Sequence, residues 1–422
     1  MRQIFSSLRD IATYRTIRIY LLGSFGSNVG TWIQRVVVGW LVFDFTGSAA
    51  WVGVIAAAEV LPMLLVSPIA GALLDRGDRI LYFGVCQVLA LVQALMLTAL
   101  ALLGMLDLWW LLIAAAMLGT IEGVGNPARL SLVADIAPRR LIRSTVSASS
   151  MGFNLARFVG PALGGIILIT FEPAVAFAIN AITFLPLIRL LFVIRRQEAA
   201  PVRVPSGDSG GIVAGVVHVA RHPLLGPTFL ILISTSLCLR ALIDLVPAVA
   251  GLWFGNDPGI LAQLTSCLGL GAMGGGLWMM GRQGLAGVTA SVLTMPGVTI
   301  VAVTILALAG PNVWAAYPLL MVVGFSIVAN AIGIQSLIHL TINPAYLGRA
   351  MSLFFSANRA FPALGAISIG FLADRIGLTV SLLIASCLAL LVWFPLWLRR
   401  NAISAHLPPE DEIQLDAEQA AQ

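Results

Sequence analysis

The chain has 422 residues, of which 59% are hydrophobic and only 10% charged, against about 25% charged in water-soluble domains. Its 24 basic residues are all arginine, and the net charge of +5 is scattered through short segments rather than gathered in a stripe. A water-soluble fold and a nucleic-acid-binding surface are both excluded. Lipid is the solvent for most of this chain.

A membrane-spanning helix needs about 20 predominantly apolar residues. Six such runs lie near 18–43, 51–74, 80–103, 108–131, 144–169 and 174–194. A polar stretch beginning RRQEAAPVRVPSGDSG follows, in which GIVAGVVHVARHPLLG reads as a short interfacial helix. Six more runs lie near 227–251, 259–281, 286–309, 313–338, 347–372 and 377–398, and the acidic tail PPEDEIQLDAEQAAQ closes the chain. The expected fold is an all-α integral membrane protein with twelve transmembrane helices in two six-helix halves. The boundaries are 1–194 for the first half, 195–226 for a cytoplasmic linker, 227–400 for the second half and 401–422 for a disordered tail.

The arginines set the orientation. Arg2, Arg9, Arg15, Arg76, Arg79, Arg139, Arg140, Arg143, Arg195, Arg196, Arg203, Arg221, Arg282, Arg349, Arg399 and Arg400 fall at the termini and the even-numbered turns. The opposite loops carry none, apart from Arg375. Both termini and the linker are expected in the cytoplasm, which an even helix count requires. The polar, basic start MRQIFSSLRDIATYR does not read as a cleavable signal peptide.

Two segments recur about 200 residues apart. PRRLIR at 138–143 returns as PAYLGR at 344–349, and FVGPALGG at 158–165 returns as RAFPALGA at 359–366. Two duplicated halves are a known transporter plan.

Charges at mid-membrane cost about 2.5–3.5 kcal/mol each on insertion scales, so those that persist are expected to face the interior. Arg35, Glu59, Glu122 and Arg157 fall in the first, second, fourth and fifth runs, Arg240 and Asp244 in the seventh, and Arg359 in the eleventh. A carboxyl alternating between an apolar setting and an arginine takes up and releases a proton. Glu122 is the first candidate and Glu59 the second, with Arg157 as the cation tuning one of them or meeting an anionic substrate. The alternative is a set of static ion pairs. Arg240 and Asp244, spaced i, i+4, can pair on their own helix. Arg35 and Arg359 are left over, and a surplus of buried cation suits a substrate with acidic groups, such as a catecholate siderophore. Asn28, Trp32 and Gln34 on the first helix are candidates to line the pathway.

Enzyme signatures are missing. Four scattered histidines and four scattered cysteines form no nucleophile–base set and no metal spacing, and there is no phosphate-cradling loop. No metal and no cofactor are expected, so a proton gradient would supply the energy. The partners are a small-molecule substrate, protons and the bilayer, for a monomer in a bacterial inner membrane.

The segment GALLDRGDR, 71–79, resembles the signature Gly-x-Leu-x-Asp-Arg-x-x-Arg of the major facilitator superfamily, through Gly71, Leu73, Asp75, Arg76 and Arg79. A basic residue often follows in that signature; here Ile80 stands. The corresponding GGGLWMMGRQG keeps glycines and Arg282 but lacks the aspartate. ARFVGPALGG resembles the Gly-Pro signature of proton-driven exporters. INPAYLGRAMSLFFSANRAFPALGA resembles the branch holding the enterobactin exporter and macrolide and tetracycline efflux proteins. The resemblance implies a proton antiporter for drugs or siderophores, with alternating access between the halves. A lipid flippase or an importer of the same fold is the alternative. It also implies a cytoplasmic gate at Gly71, Asp75, Arg76 and Arg79, where Gly71 permits close packing and Asp75 meets a helix N-terminus or an arginine. It places a helix bend at Gly160, Pro161, Gly164 and Gly165.

Overall fold

A computed structural model of the chain describes residues 13–197, 217, 219–282, 284–342 and 344–401. Among these residues, twelve long helical segments follow one another: α1 Arg15–Thr46, α2 Ala49–Arg76, α3 Arg79–Leu102, α4 Leu108–Ile136, α5 Ile142–Thr170, α6 Pro173–Gln197, a composite α7, α8 Pro258–Met280, α9 Leu285–Ala309, α10 Val313–Thr341, α11 Pro344–Ile376 and α12 Leu378–Leu398. The described residues contain no strand. α7 is built of Leu225–Thr235, a π-helical turn Ser236–Arg240, Ala241–Asp244 and Val246–Phe254. The last piece starts where Pro247 lacks an N–H for the ladder. Of the interfacial helix expected at 211–226, residues 219–221 are helical while 211–216 and 218 lie outside the described residues, as does the tail 402–422.

The helices start and stop for local reasons. Asp78, Asp107 and Asn312 cap α3, α4 and α10 by accepting backbone N–H groups of the first turn. Gly47 ends α1 at φ +61° and Gly377 separates α11 from α12 at φ +86°, conformations that disfavour any side chain.

Among the described residues, ten helices are long and apolar enough to cross a membrane. α1 and α11 are longer still but more polar, so their spans rest on what their side chains meet inside the protein. In α1, Ser24, Ser27, Thr31 and Gln34 are all buried. Outward-facing leucines such as Leu65 and Leu391 are about two-thirds exposed or more, as a lipid-facing surface requires (73% and 66%).

The chain divides into two compact units. The first comprises residues 1–47, 55–207 and 256–266; the second comprises 48–54, 208–255 and 267–422. The start of α2 therefore belongs to the second unit and the start of α8 to the first, unlike the continuous halves drawn from sequence.

Glycines set the spacing inside each unit. In the first unit, a side chain on Gly119 of α4 would run into the Glu59 carbonyl on α2, and one on Gly160 into Trp32 of α1. Gly164 lies on Ile33 of α1, and Gly165 on Ala262 of α8. In the second unit, Gly324 of α10 meets the Leu268 carbonyl on α8, Gly365 of α11 meets the Leu237 carbonyl in the π turn, and Gly53 of α2 meets Ala366 of α11. The repeated Ala-Leu-Gly segment thus makes the same kind of contact twice, α5 on α1 and α11 on α7.

Candidate functional site

The site in the first unit grows from one close approach. Gly119 lets α4 lie directly on the Glu59 carbonyl. One turn later Glu122 comes level with Glu59, and both reach Arg35 on α1. Arg35 Nε donates to Glu59 Oε1 at 2.8 Å, and its Nη2 lies 2.7 Å from Glu122 Oε1 while also donating to Glu59 Oε1. The three side chains are 13%, 17% and 18% exposed, so the bridge is largely removed from solvent. One guanidinium holds two carboxylates.

Trp32, one turn before Arg35, adds the fourth wall. The Arg35 guanidinium lies 4.5 Å from the centroid of its ring and that of Arg157 lies 5.5 Å away, within cation–π range. Gly160 makes room for this indole on α5, which gives that glycine a concrete task in the Gly-Pro segment. α5 stays helical through Pro161.

A chain of buried amides holds α1 in place. Asn180 Nδ2 of α6 donates to Gln34 Oε1 at 2.8 Å, Gln34 Nε2 donates to Gln93 Oε1 of α3 at 3.1 Å, and Gln93 Nε2 donates to the Ala114 carbonyl of α4 at 3.2 Å. Gln34 precedes Arg35, so this chain ties the arginine's backbone to three helices. Asn28 Nδ2 donates to the Ser24 carbonyl within α1 at 2.7 Å.

Several expectations change. Arg35 is not left over; it is the cation that bridges Glu59 and Glu122, and Arg157 lies beside Trp32. Depth along a helix does not reveal azimuth, and α1 turns Arg35 toward α2 and α4. Among the described residues, a side chain on Gly71 would meet no atom within 4 Å. Asp75 and Arg76 end α2, but their side chains lie outside the described residues, so the contacts expected of the gate are not described. Arg79 opens α3 behind the Asp78 cap. An acid does sit on a helix N-terminus, but elsewhere. Asp374 of α11 accepts from Ser48 Oγ and from the N–H groups of Ala49 at 2.8 Å and Ala50 at 3.1 Å, at the start of α2 in the second unit.

In the second unit, Arg240 ends the π turn of α7 and Asp244 ends the short α-helical piece that follows it. Arg240 donates to Asn358 Oδ1 of α11, and both Asp244 and Arg359 are close enough to act on its charge. Asp244 is exposed while Arg240 and Arg359 are half-buried. The sequence reading missed Gln93, Asn180 and Asp374. Lone amides in apolar runs were the available signal for the first two.

Residues 5–419 match the family model described as transmembrane secretion effector. The chain is 25% identical to the uncharacterized MFS-type transporter YfiS of Bacillus subtilis, over 87% of this chain and 88% of that protein. It is 27% identical to the multidrug efflux pump Tap of Mycolicibacterium fortuitum, over 94% and 97% of the two chains. It is 26% identical to the staphyloferrin A transporter of Staphylococcus aureus over 40% of this chain and 42% of that one. The crystal structure of a mutant of the nucleoside transporter NupG superposes with a TM-score of 0.70 at 12% identity, covering 92% of this chain and all of that one. With a family model spanning nearly its whole length and a shared helical architecture, the chain belongs to the transmembrane secretion effector family of major facilitator transporters.

Proposed function

We propose that this transporter exports a small molecule, of drug or siderophore kind, from a bacterium by exchanging it for protons. The observation that carries this reading is Arg35 bridging Glu59 and Glu122. Arg35 is shared between two carboxylates in a setting where a charge is costly, about 2.5–3.5 kcal/mol. Loosening one contact to Arg35 would favour protonation of that carboxylate; restoring the contact would expel the proton. Alternating access between the halves would present the acid pair first to one side of the membrane and then to the other. Trp32 and Arg157 border the pair and would sense its charge. The relatives named as a multidrug efflux pump and a staphyloferrin A transporter support the cargo class. In this reading the protein works as a monomer in the inner membrane, with both termini in the cytoplasm and the proton gradient as its energy source.

Everted vesicles with an acid interior test it. A panel of siderophores and antibiotics is added while a fluorescent dye reports internal pH. The reading requires that at least one compound collapse the gradient and that Glu122→Gln abolish the collapse. Transport of a panel compound with the pH gradient untouched would refute proton exchange.

A further inference from the structure

The second unit repeats the first unit's arginine without its acids. In the first unit, Gly164 of α5 meets α1 at Ile33, and Arg35 follows two residues later. In the second, Gly365 of α11 meets α7 at Leu237, and Arg240 follows three residues later. The extra residue lies in the π turn, which widens the helix by one residue. The partners can be placed the same way. Gly119 lies on Glu59 and is followed three residues later by Glu122. Gly324 lies on Leu268 and is followed three residues later by Ile327. Leu268 and Ile327 therefore stand where the first unit carries its two carboxylates.

A cavity lies between Ile327 and Arg240. It measures about 20 Å3 and is lined by Thr235, Ser236 and Arg240 of α7, Thr299 of α9, and Ile327 and Asn330 of α10, with apolar neighbours. Its wall is mostly apolar, and a space of that size admits one water-sized group, such as a single oxygen held by Arg240 and Asn330. Asn330 is only 7% exposed, and its Oδ1 has no hydrogen-bond partner. Oxygen and nitrogen of such an amide exchange places by a half-turn, so either can face an incoming group. Arg240 donates to the neutral Asn358, Arg359 acts on it as a like charge, and the acid that acts on it, Asp244, is exposed. These two guanidiniums and one carboxylate sum to a net positive charge at membrane depth, which an anion would offset.

We infer that this cavity is an anion subsite, in which one carboxylate or phenolate oxygen of the cargo takes the place beside Arg240 that the Glu59 and Glu122 oxygens take beside Arg35. Arg240 supplies the charge-assisted hydrogen bonds, Arg359 adds long-range attraction, and the Asn330 amide, turned to present its NH2 group, donates one further hydrogen bond to the bound oxygen. This rests on the transporter reading for its cargo but not on proton exchange.

The test is ligand-induced thermal stabilisation of the purified full-length protein in detergent, at constant ionic strength. Benzoate, citrate and 2,3-dihydroxybenzoate serve as acidic compounds, sodium chloride as the inorganic anion, and tetraphenylphosphonium as the cationic control. The expected result is a saturable rise of the unfolding midpoint with at least one organic acid, larger than with chloride and absent with the cation. Arg240→Gln and Arg359→Gln should each weaken apparent affinity at least tenfold, while Arg240→Lys retains part of it. Ile327→Glu guards against misfolding as an explanation. It supplies the missing carboxylate, so it should keep the unliganded midpoint at or above that of the parent yet abolish the acid-dependent rise. A rise that persists in Arg240→Gln, one no larger than that with chloride, or none with any acid would overturn the assignment. Because no gradient is present, stabilisation by acids without gradient collapse in vesicles would remove proton exchange and leave this subsite standing; the converse would do the reverse.

Discussion

Arg35→Gln is the sharpest perturbation of the bridge. It removes a cation that contacts both Glu59 and Glu122 and leaves two carboxylates in side-chain environments only 17% and 18% exposed. Removing one partner of a buried ion pair typically costs about 3–5 kcal/mol, because the remaining charge is stranded. Here two charges are stranded about one glutamine, so the upper part of that range applies. The triple variant Arg35→Gln, Glu59→Gln, Glu122→Gln removes every formal charge of the bridge, keeps the volume of both acids and shortens only the side chain at 35. It should recover to within about 1–2 kcal/mol of the parent, since replacing a whole buried ion group by neutral residues is often near neutral. The assay is unfolding of the purified proteins in one detergent, by heat and by denaturant. A single variant as stable as the parent would show that Arg35 is not the counter-charge. A triple variant as unstable as the single would show that the loss comes from packing against Trp32 rather than from stranded charge.

Three further perturbations test neighbouring claims. Gly119→Val drives a branched side chain into the Glu59 carbonyl and should force α4 off α2; we expect loss of about 1–3 kcal/mol together with loss of gradient collapse, read by unfolding and by the vesicle assay. Asp374→Ala removes the group that caps the start of α2 and should cost about 0.5–2 kcal/mol, with faster hydrogen exchange at Ala49 and Ala50; unchanged exchange there would refute the cap. Gln93→Leu leaves Gln34 Nε2 without its acceptor in a buried position and should cost about 1–3 kcal/mol, whereas the paired change of Gln34 and Gln93 to Leu should cost less than the sum of the singles in a double-mutant cycle.

Much of the helix map was legible because membrane spans obey a crude rule of length and hydropathy. Each expected run lies within one of α1 to α12, apart from small differences at the ends. The break in α7 was not legible: Pro247 marks the start of its last piece, but nothing local distinguishes SLCLR as a π turn from SLCLR as an α-helix. The membership of residues 48–54 and 256–266 was also hidden, because periodicity reports what a helix buries and not which helix it buries it against. The charged residues were legible one by one, since an acid or arginine inside an apolar run is conspicuous on cost alone. Their pairing was not. Arg35 and Arg157 lie on different helices at comparable depth, and only the rotation of α1, set by Gly160 and Gly164 against α5 and by the Gln34 amide chain, turns Arg35 to the glutamates. Gly119 carried the missing clue: a glycine three residues before an intramembrane glutamate marks where another backbone comes close.

The sign of the cargo decides how transport should respond to voltage. An inside-negative membrane supplies about 2.3 kcal/mol per 100 mV for each charge moved. A monoanion leaving while a proton enters moves two charges in the favourable direction, worth roughly 4.6 kcal/mol, or about 3.3 decades of concentration gradient. A monocation leaving against one proton moves no net charge. The Arg240 subsite selects the first case, so export should be strongly electrogenic. In everted vesicles at a fixed pH gradient, collapsing the membrane potential with potassium and valinomycin should then cut accumulation of an acidic cargo by at least tenfold. A potential imposed without a pH gradient should drive accumulation by itself. Accumulation that follows the pH gradient and ignores the potential would require a monocationic cargo bound at the Glu59–Glu122 pair, and Arg240 would then be a structural charge held by Asn358.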